Sequence, residues 1–213
     1  MLFRYRRYLP HLEIQNSSYF VTFRLAGSVP LKVIENWKSE REEILKLALS
    51  NRRSLSEHEK QRLKFLFCAK IDDYSDKGRG DCWLENPGIA QLVVNALRYF
   101  DSQRYNLHAW CVMPNHVHVV FTVISDGAET DSDLDRILHS WKSFTSHEAN
   151  KILARSGTFW QSEYYDHLIR CNEDFGHCVE YTLQNPVKAG LCSHWDQWPW
   201  SGCSEKIKLL LST

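Results

Sequence analysis

His116 and His118 stand two residues apart in the run His116-Val117-His118-Val119-Val120-Phe121, whose β-branched and apolar residues predict a strand. Side chains alternate between the faces of a strand, so both imidazoles emerge on one face while Val117 and Val119 enter the other. Two imidazoles placed this way can chelate one metal ion. The chain holds ten histidines, so the spacing alone carries little weight and the surroundings carry more. A turn, Met113-Pro114-Asn115, precedes the pair, and Tyr181 and Asn185 lie four residues apart later in the chain. On a helix that spacing puts phenol and carboxamide on one face. If the helix crosses the histidine face, Asn185 supplies a third ligand oxygen and Tyr181 a hydroxyl nucleophile. Two histidines and an amide oxygen with open positions suit Mg2+ or Mn2+ in phosphate chemistry, whereas structural zinc wants four closed ligands that include thiolates. A phenol with an ordinary pKa of about 10 needs a metal or a base beside it to attack.

The elements that must position these residues are legible in outline. Ser18 to Leu25 reads as a first strand, closed by turn residues from Gly27 to Pro30. Apolar residues at helical spacing run from Leu31 to about Ser50, and a second helical stretch runs from about Ser56 to Ile71, with Ser56 and Glu59 spaced as a capping box. Asn86-Pro87 opens a helix that ends near Ser102. Asn106 to Met113 and His116 to Val123 form a hairpin about Pro114-Asn115, and Asp133 to about Ala154 is a helix after a polar loop. Gly157 to Ile169 is extended, and Asn172 to Gln184 is a short helix ended by Asn185-Pro186, since a residue before proline disfavours helical dihedrals. Trp195 to Trp200 is aromatic and irregular. Neighbouring strands in this order can pair antiparallel, which predicts an α+β fold of one domain over residues 1–213, with a helical insertion at about 31–80.

Composition narrows the function classes. The 213 residues, 43% hydrophobic and 24% charged, are those of a globular protein, and no apolar run approaches the roughly 18 residues of a membrane helix. Met1 to Pro10 lacks the continuous apolar stretch of a signal peptide, so a cytoplasmic protein with no membrane partner is expected. The seven cysteines are scattered without a Cys-x-x-Cys pair, the pattern of reduced thiols. A formal net charge of zero lacks the basic surplus usual in duplex binders. Arg4, Arg6 and Arg7, interleaved with Tyr5 and Tyr8, nevertheless make a basic, stacking-capable arm suited to single strands. Lys142 and Arg170 are further candidates for phosphate contacts. Tyr164 and Tyr165 are rival nucleophiles, Tyr105 and Trp160 are either base-stacking or core residues, and His108 lies in the strand beside the histidine pair.

Four segments taken in order carry a resemblance: Leu107 to Phe121 (LHAWCVMPNHVHVVF), His139 to Thr145 (HSWKSFT), Phe159 to Arg170 (FWQSEYYDHLIR) and Tyr181 to Leu191 (YTLQNPVKAGL). They resemble REP-associated tyrosine transposases, relatives of the single-tyrosine transposases of insertion sequences, over roughly Ser17 to Ser201. The resemblance implies a ferredoxin-like antiparallel sheet with helices packed on it, the HUH endonuclease fold. It implies that His116 and His118 are the metal-binding histidines, and that Tyr181 is the catalytic tyrosine, joining a 5′-phosphate in single-stranded or hairpin DNA. In the insertion-sequence relatives a glutamine four residues after the tyrosine is the third ligand; Asn185 holds that place here, with Gln184 as the alternative. The function expected is a metal-dependent nuclease and strand transferase at hairpin-forming repeats. A hairpin-specific DNA-binding regulator of the same fold, without turnover, is the alternative, and the oligomeric state is left open between monomer and homodimer. A histidine-triad hydrolase would want a third alternating histidine, where Val120 stands.

Overall fold

In the computed structural model the described residues are the backbones of Leu2–Arg6 and Leu9–Glu13, residues 16–28, 80–124 and 133–211, and single positions between 39 and 59. Strands β1 (Leu2–Arg6) and β2 (Leu9–Glu13) form an antiparallel hairpin of their own. The main sheet comprises β3 (Ser18–Arg24), β4 (Tyr105–Val112), β5 (His116–Val123), β6 (Tyr165–Leu168) and β7 (Ser201–Cys203). The continuous α-helices among the described residues are α1 (Pro87–Tyr99), α2 (Asp133–Ile152), α3 (Asn172–Lys188) and α4 (Glu205–Leu211). The sheet is antiparallel in the order β6-β3-β5-β4-β7. Counting β3 as the first strand of a β-α-β-β-α-β chain, that order is 4-1-3-2 with β7 added at the edge. This is the expected α+β, ferredoxin-like arrangement.

Alternation along the strands divides the interior in two. On one face Tyr19, Val21, Phe23, Val117, Val119 and Phe121 pack beneath α1 and α2, which contribute Ile89, Val93, Leu97, Leu138 and Trp141. On the other face Phe20, Ala109 and Val120 meet Cys178, Val179 and Leu183 of α3 and Ile207 of α4. The sheet is therefore covered on both sides, and His116 and His118 belong to the α3 side. Within the first core Trp141 Nε1 donates to the Tyr105 hydroxyl at 2.9 Å, and that hydroxyl donates to the Leu97 carbonyl at 2.8 Å. Tyr105 and Trp160 are thus core residues, not base-stacking platforms. Phe121 sits in the middle, its ring in contact with those of Tyr19, Tyr105 and Trp141. Phe121→Ala is expected to lower unfolding free energy by about 3–5 kcal/mol, read as a lower denaturant midpoint at unchanged slope.

Local chemistry sets the element ends. Asn86 Oδ1 accepts from the amides of Gly88 (2.9 Å) and Ile89 (3.4 Å), and Pro87 occupies the first helical position, as its missing N–H allows. The Ser56–Glu59 capping box also forms: the Glu59 amide donates to Ser56 Oγ (3.2 Å) and the Ser56 amide to Glu59 Oε2 (2.8 Å). Most of residues 31–79 lie outside the described residues, although Ser39, Glu43, Ile44, Lys46–Ala48 and Ser50 are helical. Where this excursion leaves and returns, the backbones touch. A Cβ on Gly80 (φ +82°) would lie 2.3 Å from the Gly27 carbonyl oxygen, so that position requires glycine.

Three expectations need correction. Helix α3 does not stop at Gln184 but continues through Pro186 to Lys188. Proline this near the helix end forfeits one hydrogen bond and crowds the preceding turn, and burial of Asn185 and Pro186 outweighs that cost and the pre-proline preference. Within Gly157–Ile169, only Tyr165–Leu168 is strand, with Trp160 bridging to Leu25. After the 3-10 turn Trp195–Gln197, the chain forms β7 and α4, which were not anticipated. Among the described residues no helix is long and apolar enough to cross a membrane.

Candidate functional site

Strand β5 holds His116 and His118 on the α3 face, both fully buried, with their Nε2 atoms 2.9 Å apart. Their other ring nitrogens are held from behind. His116 Nδ1 donates to Asn115 Oδ1 at 2.7 Å, which fixes the tautomer and leaves the Nε2 lone pair facing His118. His118 Nδ1 meets the Thr22 hydroxyl at 2.8 Å, from the residue paired with it on β3. A hydroxyl can donate or accept, so the His118 proton can move to Nδ1 and free Nε2 as well.

Helix α3 brings Tyr181 to this place. The Tyr181 ring stands edge-on to His118 (centroids 5.5 Å apart) and to Phe20 (5.7 Å), and Phe20 itself stacks on His118 (5.6 Å). Tyr181 is half-buried, and Lys188 Nζ lies 4.8 Å from its ring centroid. Asn185, one turn beyond Tyr181, is buried, and neither Oδ1 nor Nδ2 has a hydrogen-bond partner among the described residues. A buried carboxamide left this way costs free energy. Gln184 is only half-buried.

These residues fit a metal centre. With bonds of about 2.1 Å, two adjacent ligands of an octahedral ion stand roughly 3 Å apart, as the two Nε2 atoms do, and the partners behind both rings are the usual outer shell of metal-binding histidines. Asn185 carries the kind of oxygen donor that a hard divalent ion prefers. Burial holds the His116 imidazole well below the usual histidine range, and the positive charge of Arg24 and the neighbouring His118 act the same way. Burial also lowers His108, with Lys206 adding to the effect. The unfolded chain therefore takes up protons near pH 6.5 that the folded chain refuses. Stability of the metal-free protein is expected to be fully present above about pH 6.5 and to fall as the pH drops below it, measured as a lower urea midpoint at pH 5.5 than at pH 7.5.

Tyr164 is buried and its hydroxyl donates to Asp135 Oδ1 at 2.6 Å, tying the residue just before β6 to α2. Tyr165 is half-buried against Phe20 (6.3 Å). His108 contacts Thr122 and the Phe175 ring, away from the histidine pair. Lys142 donates to the carbonyls of Gln161 (2.6 Å) and Ser162 (2.9 Å), and Arg170 is exposed at the start of α3. The side chains of Arg4, Arg6 and Arg7 lie outside the described residues. Sequence reasoning missed Arg24 and Thr22, brought beside His116 and His118 by the β3–β5 register, and Lys188.

Fold and site together define an α+β domain whose central strand presents two histidines to a tyrosine- and asparagine-bearing helix. Residues 88–175 match the family model described as "Transposase IS200 like", a span that includes His116 and His118 and stops before Tyr181. The chain is 30% identical over 112 residues to the REP-associated tyrosine transposase of Escherichia coli K12, covering 52% of this chain and 62% of that protein. A Haemophilus influenzae protein provisionally given the same name is 27% identical over 108 residues, 47% of this chain and 60% of the relative. The matches thus span about six tenths of the length of these relatives. Among solved structures, a REP-associated tyrosine transposase bound to a REP hairpin shares the fold, with TM-score 0.54 and 21% identity over 94% of this chain and 82% of that one. The resemblance to REP-associated tyrosine transposases read from the sequence is therefore found by sequence and by fold.

Proposed function

We propose that this protein is a metal-dependent nuclease and strand transferase acting on single-stranded DNA at hairpin-forming repeats, through a 5′-phosphotyrosine on Tyr181. The observation that carries the reading is a pair of facing imidazole nitrogens with the half-buried Tyr181 ring edge-on to one of them; the buried, unsatisfied Asn185 carboxamide one helical turn further along supports it. His116, His118 and Asn185 are the residues that would hold a divalent ion. Mg2+ or Mn2+ bound by them would polarise the scissile phosphate and offset the charge of the transition state.

The Tyr181 oxygen attacks phosphorus and forms the Tyr–O–P bond as the bond from phosphorus to the 3′-oxygen breaks. The phenol loses a proton and the departing oxygen gains one, so the step is balanced without an external energy source. A second DNA 3′-OH later reverses the exchange and frees Tyr181. Positive charge for the reacting phosphate comes from Arg24, beside His116, and from Lys188, at the Tyr181 ring. Arg4, Arg6, Arg7, Lys142 and Arg170 contact the DNA backbone on either side, and the cytoplasm is where such DNA is met. A hairpin as partner is carried over from the solved relative, whose structure contains a REP hairpin.

The test is to incubate the protein with Mn2+ and an end-labelled single-stranded oligonucleotide containing a hairpin. The expected result is a denaturation-resistant protein–DNA adduct, mapped to Tyr181 by mass spectrometry, with release of a strand ending in 3′-OH. Cleavage that leaves a 3′-phosphate or no adduct would overturn the mechanism, and hairpin binding without cleavage would mark a regulator.

A further inference from the structure

A second cluster of metal-ligand atoms lies on the same sheet face, at the other end of α3. His167 on β6 and Asp174 and Cys178 on α3 place an imidazole nitrogen, a carboxylate oxygen and a sulfur all within 4.8 Å of one another. His167 Nε2 lies 2.8 and 3.0 Å from the two Asp174 oxygens, and Cys178 Sγ lies 4.0 Å from Asp174 Oδ1. The Arg170 amide donates to Asp174 Oδ2 at 3.2 Å and fixes the carboxylate. Cys178 is buried, whereas His167 and Asp174 are about a quarter exposed, so an ion can enter and keep a water. At 1.5 Å of rise per residue, Asp174 is roughly 10 Å along the helix from Tyr181.

We propose that His167, Asp174 and Cys178 form a second metal site, of the zinc type, with water as fourth ligand. Zinc bonds of about 2.0–2.3 Å place tetrahedral ligands roughly 3.3–3.8 Å apart. To reach that geometry the His167–Asp174 hydrogen bond opens from 2.8 Å by about half an ångström, and the thiol and imidazole, within 4.8 Å of each other, close by up to about 1 Å. A thiolate with an imidazole and a carboxylate selects zinc over Mg2+ or Mn2+, the reverse of the preference at the facing histidines. Bound there, zinc would clamp edge strand β6 to the N-terminal half of the helix that carries Tyr181. The proposal does not depend on the nuclease reading.

Cobalt is the probe, because only a thiolate ligand gives a near-ultraviolet charge-transfer band with Co2+, and the histidine pair offers none. Chelator-stripped protein titrated with Co2+ should develop that band with the intense visible absorption of a four-coordinate ion, saturating at one equivalent and bleached by Zn2+. Cys178→Ser should abolish the band. His167→Gln, which keeps the thiol and changes a partly exposed edge residue, should weaken Co2+ binding by at least about 100-fold, since losing even an outer-shell partner costs 10–100-fold. It decides the matter should the serine variant not fold. Absence of the band in the parent protein, its survival in Cys178→Ser, or unaltered affinity in folded His167→Gln would overturn the proposal.

Discussion

Tyr181→Phe is expected to slow cleavage of a single-stranded hairpin substrate by roughly 10^4- to 10^6-fold, the scale on which removal of an enzymic nucleophile falls. Hairpin affinity should stay within about twofold. The substitution deletes one oxygen and keeps the ring, so the edge contacts with Phe20 and His118 persist and loss of folding does not confuse the result. Rates from single-turnover gels and affinities from electrophoretic shifts check both halves. If the variant cleaves at the parental rate, the nucleophile is another group. Tyr165, half-buried against Phe20 on the same sheet face as Tyr181, would be examined first.

Asn185→Leu separates stability from function in opposite directions. Among the described residues, neither polar atom of the buried Asn185 carboxamide has a hydrogen-bond partner. An isosteric apolar side chain removes that penalty, so the metal-free variant should be more stable than the parent by about 1–3 kcal/mol. The same change removes the third ligand, and metal affinity should fall at least about 100-fold, more than outer-shell losses cost. Thermal denaturation with and without Mn2+ reads both. The parent gains stability from the ion as RT ln(1 + [L]/Kd), and the variant starts higher and gains little. A metal-free variant less stable than the parent would mean that Asn185 serves the fold and not the metal.

Much of the sheet was legible because its signals are local. The His116–Val123 strand, the Asn86-Pro87 helix start and the Ser56–Glu59 capping box each depend on residues within a few positions of one another. The facing of His116 and His118 followed from strand alternation alone. What escaped depends on distant pairing. Thr22 and Arg24 reach the histidines only through the β3–β5 register. β7 is three residues long, and its Gly202 leaves room for the Trp110 ring, where a Cβ would lie 2.3 Å from the indole. The end of α3 was misplaced because a local rule about proline was set against burial, which only the assembled fold supplies. The value of Asn185 could not be read from spacing either, since its lack of a partner is a property of the packed interior.

Helix α3 carries Asp174, Cys178, Tyr181 and Asn185 at intervals of four, three and four residues, one stripe along one rod. Under the proposed chemistry, the attacking oxygen and the third ligand cannot be repositioned separately. Swinging a tyrosine-linked DNA strand away from the histidines would also pull the carboxamide off the ion, and seating a new strand would restore both. Loading of the metal and readiness to attack then form a single mechanical coordinate, with β6 at the other end of the rod as its pivot.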